Sequence, residues 1–400
     1  LPSSSPILSA TRTHNITYAV RDVTLVADEV ARTGRAMLYL NIGDPNKFDF
    51  ATPPHIVEAI TRALRDNLNG YAPSSGTSEA REAVRRYAER KGLRGIQDLF
   101  ITHGASEAIE LCLTGLLEPG DNVLVPMPGY PLYTAILAKL QAVENPYYLK
   151  EEDNWQPDLD DIAGKVDART KAIVVINPNN PTGANCSREL LEGLLEIARR
   201  HNLVLFADEI YDQLLFDGRE HVSPAALDDK HPIITFNGLS KNYIGPGLRI
   251  GWGIVSGERS RWGDYLEGVN RMLRARLCAN HPIMTAIPAA LDGDQSHLAD
   301  LNARLTRRRD LTVKMLNAIE GVSCVAPGGA FYAFPRIEIE DSDEEWVKGL
   351  IRKTGVVVVH GSGFGQKPGT HHFRVVFLPP EETLRRAYGQ IGEYMKGRFI

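Results

Sequence analysis

Ile173-Val174-Val175-Ile176, then Ser187 to Arg200, then Leu203-Val204-Leu205-Phe206 follow one another along the chain, and their order decides the fold. The two short runs are apolar at every position, the pattern of strands covered on both faces. The segment between them carries Leu190, Leu191, Leu194, Leu195 and Ile197 at helical spacing, so one side of a helix faces inward. A further run, Ile233-Ile234-Thr235-Phe236, repeats the strand pattern. Buried strands separated by helices predict an α/β fold with a mostly parallel central sheet flanked by helices. Ligands of such sheets gather beyond the carboxyl ends of the strands. Three polar segments stand at those ends: Asn177-Pro178-Asn179-Asn180-Pro181-Thr182-Gly183, Ala207-Asp208-Glu209-Ile210-Tyr211 and Gly238-Leu239-Ser240-Lys241.

Working outward, the pattern changes near residue 295. A charged helix is expected over Leu298 to Glu320, followed by short strands near Ala330–Phe334, Val356–His360 and Phe373–Phe377. We read a large domain over 47–294, a smaller α+β domain from 15–46 plus 295–400, and a flexible N-terminal segment over 1–14. The first residues, Leu1 to Pro6, include neither an initiator Met nor a charged-then-apolar signal pattern. No internal repeat or low-complexity tract interrupts the chain.

The 400 residues are 43% hydrophobic and 24% charged, the balance of a folded enzyme rather than a disordered chain. A formal net charge of −5 speaks against a nucleic-acid partner. The basic run Arg304 to Arg309 is expected to be a solvated helix face. No apolar run approaches the roughly 18 residues that span a bilayer, so no membrane partner is expected. Cys112, Cys186, Cys278 and Cys324 are not paired at metal-ligand spacing. No metal and no disulfide framework are expected, and a reducing cytoplasm is the expected location.

Lys241 and Arg249 carry the chemistry. A lysine just past a buried strand can hold an aldehyde covalently, and an arginine shortly after it can hold a phosphate. Pyridoxal 5′-phosphate (PLP) has both groups. It also needs an acid facing its pyridine nitrogen. Asp208 ends an apolar strand, where a carboxylate is costly unless it meets a cation. From position alone, Asp208 also fits a helix N-cap, Lys241 a surface lysine and Tyr211 an interior tyrosine. Thr102-His103-Gly104-Ala105-Ser106-Glu107 joins a strand to a helix. Backbone N–H groups of Ala105 and Ser106 at that helix start suit an anion, and Ser106 is equally suited to capping the helix.

With these segments the chain resembles the fold-type I PLP-dependent aminotransferases, and within them the bacterial alanine (glutamate–pyruvate) aminotransferases. The match runs from Leu40-Asn41-Ile42-Gly43 to Phe373-Arg374 and is densest at Asn177–Gly183, Phe206–Tyr211, Thr235–Lys241 and Arg276–Asn280. The resemblance implies an aspartate-aminotransferase-like fold. It implies that Lys241 binds PLP and moves the substrate proton, and that Asp208 pairs with the ring nitrogen. Asn180 and Tyr211 would bond the ring oxygen, and Tyr130 would stack on the ring. Arg249, Ser106, Ala105 and Ser240 would hold the phosphate, with Tyr71 reaching over from the other subunit of a homodimer with shared sites. Arg374, Gly43 and Asn180 would hold the substrate α-carboxylate. The chain departs from close relatives at Ile244-Gly245-Pro246-Gly247, and at Gly238, which lacks a hydroxyl that Ser240 could replace.

The implied activity is ping-pong transfer of an amino group between L-alanine, or a similar small amino acid, and 2-oxoglutarate. Tyr18 and Arg21 are the candidates for reading the second carboxylate, with a plain surface arginine as the other reading. The alternatives are an aspartate or aromatic amino-acid aminotransferase, a PLP-dependent C–S lyase or amino-acid oxidase, and a regulator that only carries this domain.

Overall fold

A computed structural model of the chain describes residues 6–16 and 19–397, and for 19–22 the backbone alone. Its centre is an eight-stranded sheet. The strands are β1 (Ile96–Thr102), β2 (Asn122–Met127), β3 (Val143–Lys150), β4 (Gln156–Pro157), β5 (Thr170–Ile176), β6 (Val204–Asp208), β7 (Ile233–Gly238) and β8 (Gly251–Ser256). Their spatial order is β1-β8-β7-β6-β5-β2-β3-β4. The neighbours from β7 through β3 are parallel; β8 runs antiparallel to both β7 and β1, and β4 antiparallel to β3. The expected mostly parallel sheet is present.

Register places the polar segments together. Ile176 lies beside Asp208, and Asp208 beside Phe236, so β5, β6 and β7 end on one edge. Because β8 is antiparallel, it begins on that edge: Gly251 faces Gly238 on one side and Thr102 on the other. The chain therefore brings the 103–106 turn, Arg249 and Lys241 to the same end of the sheet.

Four helices matter below: α1 (Ser78–Arg90), α2 (Ala105–Leu116), α3 (Arg188–Arg200) and α4 (Ser296–Leu316). In α3, Ser187 accepts the Leu190 N–H as N-cap, and Leu191, Leu194, Leu195 and Ile197 are buried. Cys112 of α2 is fully enclosed. Helix α4 starts and stops earlier than expected. Asp294 accepts from the Ser296 N–H and hydroxyl at the start, and the Asn317 side chain bonds the Cys324 backbone at the end, diverting the chain.

Of the basic run on α4, Arg307 faces solvent, but Arg308 and Arg309 do not. Arg308 and Arg309 are only 3% and 5% exposed. Arg309 meets Asp217 through two 2.7 Å bonds, and Arg308 reaches Asp49 at 2.6 Å. The charges are turned inward because acidic partners from distant segments meet them there.

The smaller α+β unit is built from short pairings. Phe373–Val376 pairs antiparallel with Tyr332–Ala333 and with Val359–His360, and Leu38–Tyr39 pairs parallel with Val356–Val357. The Val376 N–H donates to the Leu40 carbonyl, which brings Asn41–Gly43 beside Arg374. No helix among the described residues is long and apolar enough to cross a membrane.

Candidate active site

A cavity of about 220 Å³ opens where the strand ends meet the smaller unit. It is lined by Gly43, Ala105, Ser106, Tyr130, Asn180, Asp208, Tyr211, Ser240, Lys241, Arg249 and Arg374, together with Ile42, Ile109, Ile176, Ile210, Pro246 and Tyr332.

Lys241 follows β7 and donates from Nζ to the Gly43 carbonyl at 2.9 Å. Burial, with Arg374 and Arg249 nearby and Asp44 opposing, brings its pKa down to about 8. A lysine so placed is a usable nucleophile and base near neutral pH.

Asp208 ends β6, and no helix starts there, so it is not an N-cap. Its carboxylate accepts weakly from the Ile210 N–H at 3.4 Å and from the Tyr133 hydroxyl at 3.3 Å. Burial pushes its pKa up to about 6 despite those donors. The site thus holds a carboxylate short of positive charge, which a protonated pyridine nitrogen would supply.

The opposite end of the cavity is shaped for an anion. Gly104, not Ser106, precedes the first residue of α2, with φ +77°. A β-carbon on Gly104 would lie 2.4 Å from Arg249 Nη2, so only glycine lets the guanidinium lie over the helix start. Arg249, itself at φ +51°, is steered by the Pro246 and His103 carbonyls at 3.1 and 3.3 Å. A cation above free helix N–H groups is a phosphate cradle. Gly238 lacks a hydroxyl because any β-carbon there would lie 2.6 Å from the Ile250 carbonyl oxygen. The departing loop is also ordered: the Thr52 hydroxyl donates to the Ile244 carbonyl at 2.6 Å, and Pro246 lines the cavity.

Arg374 stands at the third corner, 2% exposed. It donates to Asn180 Oδ1 at 3.1 Å and the Asn41 carbonyl at 2.5 Å, between the rings of Tyr332 and Phe364. Such a guanidinium is preorganised for a carboxylate.

The Aminotransferase class I and II family model matches residues 35–391. The chain belongs to this family. It is therefore a PLP-dependent transaminase of the aspartate-aminotransferase-like fold. The glutamate-pyruvate aminotransferase AlaA of Haemophilus influenzae is 43% identical over 371 residues, covering 90% of this chain and 91% of that one. The alanine aminotransferase of Mycobacterium tuberculosis is 40% identical, covering 95% and 91%. The solved alanine aminotransferase from Pyrococcus furiosus superposes with a TM-score of 0.94 at 41% identity, covering 98% and 100%.

PLP fits the residues of this aminotransferase cavity: a lysine at one wall, an undercharged carboxylate at another and an anion cradle at the third. The cavity collects every site residue expected from the sequence except three. Tyr71 is 83% exposed, outside its own chain's cavity. Tyr18 lies outside the described residues. Arg21 falls in the helix Ala19–Ala31, with its side chain outside what is described.

Two tyrosines were missed. Tyr332 places its hydroxyl 2.9 Å from that of Tyr211 and packs its ring on Arg374. Tyr133 is the buried donor to Asp208. Tyr332 lay in an expected strand, but no sequence signal shows which strand residue turns into the cavity. Tyr133 lies close to Tyr130 in Pro131-Leu132-Tyr133, a segment whose apolar spacing reads simply as core.

Proposed function

We propose that this aminotransferase moves an amino group between L-alanine and 2-oxoglutarate by a ping-pong mechanism. The observation that carries the chemistry is the meeting of Lys241, Asp208, the Arg249 cradle and Arg374 around one cavity. The choice of alanine is supported by relatives named as alanine or glutamate-pyruvate aminotransferases.

Bound PLP supplies an aldehyde for attachment and a ring that withdraws electrons from the substrate α-carbon. Lys241 is the residue of attachment. Lys241 would also move the α-carbon proton of the substrate, a task that suits a base with a pKa near 8. Asp208 keeps the ring nitrogen protonated. Asn180 and Tyr211 would bond the ring oxygen, and Tyr130 would stack on the ring; all three line the cavity. Ala105, Ser106, Ser240 and Arg249 hold the phosphate. Arg374 takes the α-carboxylate, with Asn180 beside it and Gly43 leaving space. A β-carbon on Gly43 would lie 2.1 Å from the Tyr332 hydroxyl oxygen.

We extend the proposal to a homodimer in which Tyr71 enters the neighbouring site, in keeping with its exposure on one chain. The division into 47–294, 15–46 plus 295–400 and a 1–14 segment remains our proposed domain plan. A reducing cytoplasm agrees with the four free cysteines.

The test is transamination by the PLP-loaded protein with 2-oxoglutarate and L-alanine, L-aspartate, L-phenylalanine or L-tyrosine. The highest kcat/KM with alanine is expected. Preference for another donor would discard alanine and keep the chemistry. Release of ammonia or peroxide without an amino acceptor would favour a lyase or oxidase.

A further inference from the structure

Behind the cavity, the segment carrying Asp208 and Tyr211 ends at Asp212, whose side chain is fully enclosed. Its carboxylate gathers donors from two other parts of the fold. Tyr87 of α1 donates its hydroxyl at 2.5 Å, and Lys91, the residue that caps α1, brings its ammonium. From the other side, Asn242 Nδ2 donates to Asp212 Oδ1 at 2.7 Å. Asn242 directly follows Lys241 and is itself fully enclosed. The transfer chemistry described above uses none of these groups.

Glu209, Asp212 and His221 turn their ligand atoms toward one another within 4.8 Å, a set that could hold a cation. The Lys91 ammonium already pairs with the Asp212 carboxylate of this set. Burial raises the Asp212 pKa, but Lys91, His221 and Tyr87 together more than offset it and hold the carboxylate below its ordinary value. An ionised acceptor makes shorter and stronger bonds than a neutral one, so the Asn242 contact is a firm one.

The 208–212 segment is fastened at both ends. The Glu209 N–H donates to the Phe236 carbonyl at 2.9 Å, and Asn237 Nδ2 donates to the Glu209 carbonyl at 2.9 Å. Those bonds tie its start to β7, ahead of Lys241. The Asp212–Asn242 bond ties its end to the chain just beyond Lys241. The lysine thus leaves the strand between two fixed points, both anchored on the segment that presents Asp208 and Tyr211.

We propose that Asp212 is a positioning residue which, through Asn242, sets where Lys241 stands relative to Asp208 and Tyr211. The inference rests on Lys241 being the residue of PLP attachment. Arg374 is held by separate contacts with Asn180 and Asn41, so substrate capture does not depend on this tether. Loosening it costs the alignment of the lysine nitrogen, and a misplacement near 1 Å can cost about 100-fold in rate.

Asn242→Ala cuts the tether while leaving the Lys91–Asp212 pair, and Asp212→Asn removes the charge. Both are to be made as PLP-loaded holoenzymes. Three quantities are compared with wild type: kcat, KM for the amino donor, and the pH midpoint of the bound cofactor's absorbance. We expect kcat to fall roughly 10- to 100-fold with KM within about threefold. The midpoint should move by about half a pH unit or more, while Asn242→Ala keeps the wild-type melting temperature within about 3 °C. Wild-type kcat and midpoint in both variants would overturn the proposal. So would a loss of kcat that tracks a loss of stability with the midpoint unmoved. A wild-type holoprotein lacking the pH-dependent cofactor absorbance would overturn the attachment reading, and the proposal with it.

Discussion

Arg249 lies so close over Gly104 that a single added methyl group would collide with its guanidinium, 2.4 Å from Nη2. Two residues far apart in the chain thus form one device. The glycine clears space above the start of α2, and the arginine fills it with charge. Gly104→Ala adds strain at φ +77° and displaces Arg249. Losing the charge-assisted Arg249 contact costs on the order of 1.5–3 kcal/mol of PLP binding, so the Kd for PLP should rise by at least about tenfold. Titration of the cofactor-free variant with PLP measures this. An unchanged Kd would show that the cradle is not where the phosphate sits.

Asp208 gives a pH prediction for the cofactor-free protein. Its pKa is raised by burial to about 6 from an ordinary value of 3.8. A raised carboxylate pKa means that the fold favours the protonated form. Its contribution to stability is full below about 3.8 and is lost as pH rises through about 6. Asp208→Asn stays neutral throughout. The melting temperature of the variant minus that of wild type should therefore increase between pH 4 and pH 7. A flat difference would mean that the carboxylate is already compensated. In the loaded enzyme the same variant should lose at least about 100-fold in kcat, an electrostatic effect of several kcal/mol.

Arg374→Lys keeps the charge but not the planar fork. The ammonium cannot donate to Asn180 and the Asn41 carbonyl and still meet a carboxylate with two parallel bonds. A loss of roughly 10- to 100-fold in kcat/KM is expected for every α-amino acid donor, whatever its side chain. Steady-state kinetics across several donors checks it. A loss confined to one donor would move the clamp elsewhere.

Much of this was legible in the sequence, for physical reasons. Strands buried on both faces have little choice of residue, so 173–176, 203–206 and 233–236 declared themselves. The polar segments after them had to lie at one edge, because parallel strands share a direction. Contacts made across the fold were silent. Tyr332 is 121 positions from the tyrosine it bonds. Arg308 and Arg309 looked solvated because Asp49 and Asp217, their partners, lie far off in the chain. At the start of α2 the anion-holding N–H groups of Ala105 and Ser106 could be read from the sequence, but not that the residue before them is a glycine needed for the space it leaves.

We propose Arg21, a candidate from the sequence, as the reader of glutamate's second carboxylate, with a plain surface arginine as the other reading. Arg21→Ala should raise KM for glutamate and 2-oxoglutarate by about tenfold or more, the loss of one charge-assisted contact, and leave alanine and pyruvate within about twofold. Equal effects on both substrate pairs would remove Arg21 from that role.

The central claim is that Lys241 carries PLP. The most direct test is borohydride reduction of the PLP-loaded protein, followed by peptide mass mapping. The cofactor is expected on the peptide containing Ser240-Lys241-Asn242, with no stable label and no amino transfer in Lys241→Ala. A label on a different lysine, or normal turnover by Lys241→Ala without added amines, would contradict it.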